Sequence, residues 1–180
     1  TKRKSCVVSR SFGKRIEKFQ ELKEAVVNYC LNASEKIRSE SLVAKAITVF
    51  VRTSPFQRNY GYYSNAKMID FPIATSNSIE IVKTAVSILE NIFKNGYQYQ
   101  KAGVMLTGLR NDDARKNLFS SEKDEKINSL MKSIDNTNYR YGRSTLSLAS
   151  AGVHKKWNMR RQYSSKIDTA DFYCLPTIRV

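Results

Sequence analysis

The sequence predicts an α+β fold of order β-α-β-β-α-β. Four strands form one sheet with two helices on one face, and a small helix-plus-strand unit follows. Three observations predict it. Apolar residues alternate with polar ones in residues 42–53, where Ile47, Val49 and Val51 point one way and Thr48, Phe50 and Arg52 the other. Apolar residues recur at helical spacing in two stretches, 19–38 and 77–93. Each helical stretch lies between strand-like segments, and two such units combine into one four-stranded sheet. Residues 1–110 are expected to make this domain, 111–120 a linker, and 121–180 a C-terminal unit.

Taken in order, residues 6–12 read as the first strand, stopped by Gly13. In the helix at 19–38, Leu22, Val26, Tyr29, Cys30, Ala33 and Ile37 form the core stripe, while Lys23, Glu24, Asn28, Glu35 and Lys36 take the other face. The second strand, 42–53, ends at Ser54-Pro55, because proline cannot donate to a ladder. Residues 62–71 form a third strand, hairpinned to the second and closed by Pro72. Asn77 and Glu80 have capping-box spacing, with Ile79, Val82, Val86, Leu89, Ile92 and Phe93 as the buried stripe and Asn95-Gly96 as the stop. Residues 97–106 supply the last strand. Beyond the polar segment 111–119, a helix is expected from Ser121 to about Tyr139, with Ile127, Leu130, Met131 and Ile134 on one side. A turn at Tyr141-Gly142-Arg143 and a short strand at 145–149 follow. That unit is too small for a convincing core of its own, so it should dock on the first domain or on a partner.

The charge balance names a partner class. In 180 residues, 31 Lys and Arg stand against 16 Asp and Glu, a net +15, as expected of a chain that meets a polyanion. Residues 1–18 hold seven of these cations (Lys2, Arg3, Lys4, Arg10, Lys14, Arg15, Lys18) against Glu17 alone. With two helices on one face, the other sheet face stays open. Alternation assigns Arg52, Thr48 and Lys101 to it, and Lys67 lies mid-strand in the third strand. Tyr60, Tyr62, Tyr63, Tyr97 and Tyr99 are of a type that stacks on bases, although strand tyrosines ordinarily pack.

Catalytic constellations are missing from the pattern. There is no glycine-rich phosphate loop and no nucleophile elbow. Asp112-Asp113, Asp168 and Asp171 read as solvated turns rather than magnesium ligands. His154 has no neighbouring Cys or His, and Cys6, Cys30 and Cys174 are too scattered for a zinc site or a disulfide framework. No apolar run has the length of a membrane span and nothing reads as a signal peptide, so a reducing cytoplasm is the expected setting. Neither metal nor cofactor is expected in this chain.

Several motifs together resemble one family. Ser9-Arg10-Ser11-Phe12-Gly13, Phe50-Val51-Arg52-Thr53-Ser54-Pro55-Phe56 and Tyr63-Ser64-Asn65 come first. Then come Tyr99-Gln100-Lys101-Ala102-Gly103-Val104-Met105-Leu106, Asn117-Leu118-Phe119, Tyr141-Gly142-Arg143 and Trp157-Asn158-Met159-Arg160-Arg161. In this order they resemble the C-terminal part of Y-family translesion DNA polymerases of the DNA polymerase V catalytic-subunit type (UmuC and its plasmid relatives). The resemblance implies that residues 1–110 are a "little finger" domain that lays its sheet on primer-template DNA. The DNA contacts it implies are Ser9, Arg10, Ser11, Lys14 and Arg15, with Arg52, Lys67 and Lys101 on the sheet. It places a sliding-clamp-binding peptide at Asn117, Leu118 and Phe119. Arg115 and Lys116 stand where the family pattern has a glutamine and usually a leucine. The magnesium carboxylates would belong to a palm domain outside this sequence. The C-terminal unit is associated by resemblance with the accessory subunit UmuD′ and the recombinase filament RecA, on DNA of the bacterial nucleoid. The expected function is DNA gripping and partner binding in damage tolerance (SOS mutagenesis). A stand-alone ferredoxin-like RNA-binding module and a basic protein-interaction scaffold are the alternatives.

Overall fold

The computed structural model describes residues 3–56, 61–112, 122–153 and 157. Strand β1 (Ser5–Ile16), helix α1 (Phe19–Ser39), β2 (Leu42–Thr53), β3 (Ser64–Thr75), α2 (Ser78–Ile92) and β4 (Tyr99–Thr107) follow the expected order. The sheet order is β1-β4-β2-β3, with every adjacent pair antiparallel. β1 and β2 therefore run parallel with β4 between them, and β3 and β4 run parallel with β2 between them. Two split β-α-β units interleave, and each crossover helix packs on the same sheet face.

That shared face holds the core. From α1, Leu22, Ala25, Val26, Cys30, Ala33 and Ile37 are fully buried against Ile47, Val49 and Val51 of β2 and Ala102, Val104 and Leu106 of β4. Each large aliphatic side chain so buried stabilises the fold by about 1.5–3 kcal/mol. Burial also pushes the Cys30 thiol up, so it stays neutral. The α2 stripe differs from the expected one. Ile81, Val82, Ala85, Ile88, Leu89 and Ile92 are buried, while Ile79 is 41% exposed. Asn77 does cap α2: its Oδ1 accepts from the Ile79 N–H at 2.9 Å.

Two strands run past their expected stops. β1 continues through Gly13 to Ile16 over an irregularity between Ser11 and Ile16. β3 continues through Pro72 to Thr75, with its register shifted opposite Ala44–Ala46. Pro72 is tolerated because β3 is an edge strand and the ring lies in the unpaired part. A two-residue strand, β5 (Arg110–Asn111), pairs with Leu42 and Val43 and carries the sheet unit to 111.

Helix α3 (Glu122–Tyr141) forms as expected, but residues 145–149 make no strand: bends lead into a 3-10 turn, Ala149–Ala151. This C-terminal segment docks on the first unit, on the helix-bearing side. Arg38 grips Asp135 with two bonds, Nε to Oδ2 at 2.6 Å and Nη2 to Oδ1 at 2.7 Å. Its Nη1 donates to the Ser76 carbonyl and the Ser78 hydroxyl, so one guanidinium ties α1, the start of α2 and α3 together. Asn28, expected on the outer face of α1, is buried and donates from Nδ2 to the Ala151 carbonyl at 2.7 Å. Gly152, at φ +70°, passes so close to α1 that a Cβ would lie 2.6 Å from Glu24 Oε2. Trp157 is buried edge-on against Phe12 and Tyr29, and its carbonyl accepts from the Gly13 N–H at 3.4 Å.

Candidate nucleic-acid interface

Strand register decides which side chains share the sheet face that no described element covers, the uncovered face, because directly paired residues point the same way. Four rows cross it. Ser11, Lys101, Arg52 and Ser64 form one, and Ser9, Gly103, Phe50 and Ala66 the next. Val7, Met105, Thr48 and Met68 follow, and Ser5, Thr107, Ala46 and Asp70 come last. The face is graded. Its cations lie in the first row, its exposed apolar residues (Val7 at 51%, Met68 at 58%) in the third, and its acid, Asp70, in the fourth. Six residues separate Arg52 from Ala46, which puts Asp70 about 20 Å along the sheet from the cationic row.

Arg52 and Lys101 are directly opposed across β2 and β4. Like charges placed so repel. Neither has an acidic partner among the described residues, where the ion pairs are Arg3–Glu40 and Arg38–Asp135. An anion lying between them would turn that repulsion into two charge-assisted contacts. Ser11 and Ser64 add a hydroxyl at each end of the row.

The structure brings Ser9, Ser11, Arg52 and Lys101 to this face, and sends two expected contacts elsewhere. Lys67 pairs with Val49, so it lies on the helix-bearing side of β3, exposed beyond the edge of the helix layer. Arg10 pairs with Ala102, also on the helix-bearing side. Its guanidinium there offsets part of the upward push that burial gives the Tyr29 phenol. Adjacent residues of a strand cannot share a face, so Ser9, Arg10 and Ser11 divide two to one. Lys14 and Arg15 are exposed in the irregular part of β1. Arg15 Nη1 donates to Gln98 Oε1 at 3.4 Å, and Gln98 Nε2 donates to Glu17 Oε1 at 2.6 Å.

The tyrosines divide as well. Tyr63, Tyr97 and Tyr99 cluster with Phe93, which in turn meets Phe19 edge-on. Tyr99 is fully buried, and burial is the main reason its phenol is pushed up. Its hydroxyl exchanges bonds with the Lys94 N–H and carbonyl. These three rings pack, Tyr99 fully and Tyr63 and Tyr97 partly buried, while Tyr62 is exposed. Tyr60 and the peptide Asn117, Leu118 and Phe119 lie outside the described residues, as do His154, Asp113, Asp168 and Asp171. No group of metal-ligating side chains occurs among the described residues, and no helix there is long and apolar enough to cross a membrane.

Register is what the sequence alone does not show, and it is what moves Arg10 and Lys67 off this face. The sequence assigns Phe50 and Arg52 to the open face but cannot show that Arg52 lands against Lys101, or Phe50 against Gly103. The described residues also form a groove of about 620 Å³ between α3 and the ends of α1 and α2, lined by Arg38, Ser76, Asn77, Met131 and Asp135 among others.

Comparison with known proteins identifies a family and several relatives. Residues 3–118 match the family described as impB/mucB/samB family C-terminal domain, and residues 128–178 match a domain of unknown function (DUF4113). UmuC of Salmonella typhimurium strain LT2 is 36% identical over 165 residues, covering 91% of this chain and 39% of that protein. ImpB of Salmonella typhimurium is 35% identical over 180 residues, covering 99% and 42%. The chain thus spans about two-fifths of the length of these relatives. Among solved structures, the insertion ternary complex of Dbh DNA polymerase aligns with TM-score 0.47 at 12% identity, over 57% of this chain and 28% of that one. The little finger domain of PolIV in its complex with the beta-clamp processivity factor aligns with TM-score 0.41 at 14% identity, over 57% and 86%.

Proposed function

Because the chain belongs to the impB/mucB/samB family, matching its C-terminal domain over residues 3–118, we propose that it is the DNA-gripping and partner-binding portion of a translesion DNA polymerase acting in damage tolerance. The observation that carries this reading is the Arg52–Lys101 couple, without an acidic partner among the described residues, on a sheet face that no described element covers. Backbone phosphates satisfy both cations at once, and phosphate contacts fix position without reading sequence. A polymerase that must pass damaged bases needs that kind of grip, since it holds the duplex whatever the bases are. Lys14 and Arg15, exposed in the irregular end of β1, add cations along that strand beyond Ser11, while Arg10 and Lys67 meet phosphates from the sheet's edge strands. In this reading magnesium and the chemical step belong to a palm domain N-terminal to this portion.

Titration of a labelled primer-template with the chain tests the grip. Affinity should be indifferent to sequence and should fall steeply as salt rises. Preference for one single-stranded RNA would favour a stand-alone RNA-binding module, and no binding at low salt a protein scaffold.

The same proposal includes protein partners. Leu118 and Phe119 have the character of an apolar anchor for a pocket on the sliding clamp, with Asn117 preceding them. Replacing Leu118 and Phe119 together with alanine should abolish capture by immobilised clamp; undiminished capture would end the assignment of this peptide as the clamp anchor. Residues 121–180 are proposed to meet the accessory subunit and the recombinase filament. Their described part docks on the helix-bearing side, so partners of this unit would meet the molecule on the face opposite the DNA.

A further inference from the structure

Among the paired rows of the uncovered face, Phe50 is the one aromatic side chain. It leans from β2 across β4 onto Gly103. A Cβ at Gly103 would fall 2.4 Å from Phe50 Cζ and 2.8 Å from Phe50 Cε1, so the ring occupies space that any other residue would take. The ring is half-buried, with one side against the β4 backbone. On one flank, about 7 Å along the strands, lies the Arg52–Lys101 row; on the other, at the same spacing, lie Val7, Met105 and Met68.

We propose that Phe50 is a stacking platform for one base of an unpaired DNA strand whose phosphates lie on the Arg52–Lys101 row. This rests on the DNA-gripping reading and adds to it a ligand that duplex gripping does not require. Bases inside a duplex stack on one another and show a protein only their edges, whereas an unpaired base offers its π face. The flanks suit that occupant. Cations without an acidic partner among the described residues match a phosphate on one side, and the apolar row on the other matches a sugar or a neighbouring base. The row-to-row separation is comparable with that between a nucleotide's phosphate and its base.

The ring also covers Gly103, a packing role that leucine can fill. Phe50→Leu therefore separates cover from stacking. The test uses an oligonucleotide carrying 2-aminopurine, single-stranded and then annealed to its complement, titrated with the chain and with Phe50→Leu. With the unaltered chain, the single strand should bind with quenched 2-aminopurine emission. Phe50→Leu should lose the quenching and about tenfold or more of the single-strand affinity, with a much smaller loss on the duplex; Phe50→Trp should restore both signals. Equal single-strand affinity and quenching in the chain and in Phe50→Leu would overturn the platform. If duplex binding still fell on Arg52→Gln with Lys101→Gln, the grip would survive that result. Failure of the unaltered chain to bind either form would overturn both.

Discussion

Gly103 shows how much one missing side chain decides. Its would-be Cβ lies 2.4 Å from Ser9 Cβ as well as from Phe50 Cζ, so alanine there must displace β1 or the ring. Gly103→Ala is expected to destabilise the chain by about 1–3 kcal/mol, read as a lowered midpoint in thermal or urea unfolding. An unchanged midpoint would mean that the ring swings aside freely, and its close seat on β4 would carry no weight. At this scale the sequence was legible where alternation is strict. Phe50, Arg52 and Lys101 lie on the face that strand periodicity assigns them. Lys67 was not legible, because its face depends on pairing with Val49 and not on its own neighbours. Asn28 was missed for a related reason. Its amide is satisfied by Glu24 and by Ala151, which lies 123 residues further along the chain.

Among elements, the helices were read more securely than the strand ends. All six residues of the expected α1 stripe are buried, since 3.6-residue periodicity over five turns leaves little choice of face. Gly13 and Pro72 looked like stops but sit in irregular stretches that the strands run through, an option that depends on β1 and β3 lying at the sheet's two edges. Among the described contacts of helix α3 are Met131, buried in its interior, and the Arg38–Asp135 pair at its rim. Hydrogen bonds to charged groups contribute about 1.5–3 kcal/mol, so Asp135→Ala should release α3 while the sheet unit stays folded. Limited proteolysis checks this: cleavage within Glu122–Tyr141 should quicken at least tenfold and leave a resistant fragment containing residues 5–107. Arg38→Ala should do more, because it also removes the bonds to Ser76 and Ser78 that hold the start of α2. Equal proteolysis of the unaltered and Asp135→Ala chains would show that the Trp157 and Ala151 contacts suffice.

The whole molecule has two unlike sides. Among the described residues, one is a sheet face with cations at one end and no element over it; the other is a helix layer on which the described part of the C-terminal segment lies. The motif series gave the family correctly, because short motifs spread over most of the chain hold in one order only when fold and ancestry are shared. Composition gave only the sign of the charge, and the graded face emerged once register aligned the strands. The central claim is that this face holds phosphates through Arg52 and Lys101. Its most direct test is the slope of log affinity against log salt for a primer-template, in the chain and in the Arg52→Gln, Lys101→Gln double variant. The account predicts weaker binding at every salt concentration and a slope shallower by about 1.8, two phosphates at roughly 0.9 each. Parallel lines of equal affinity would contradict it.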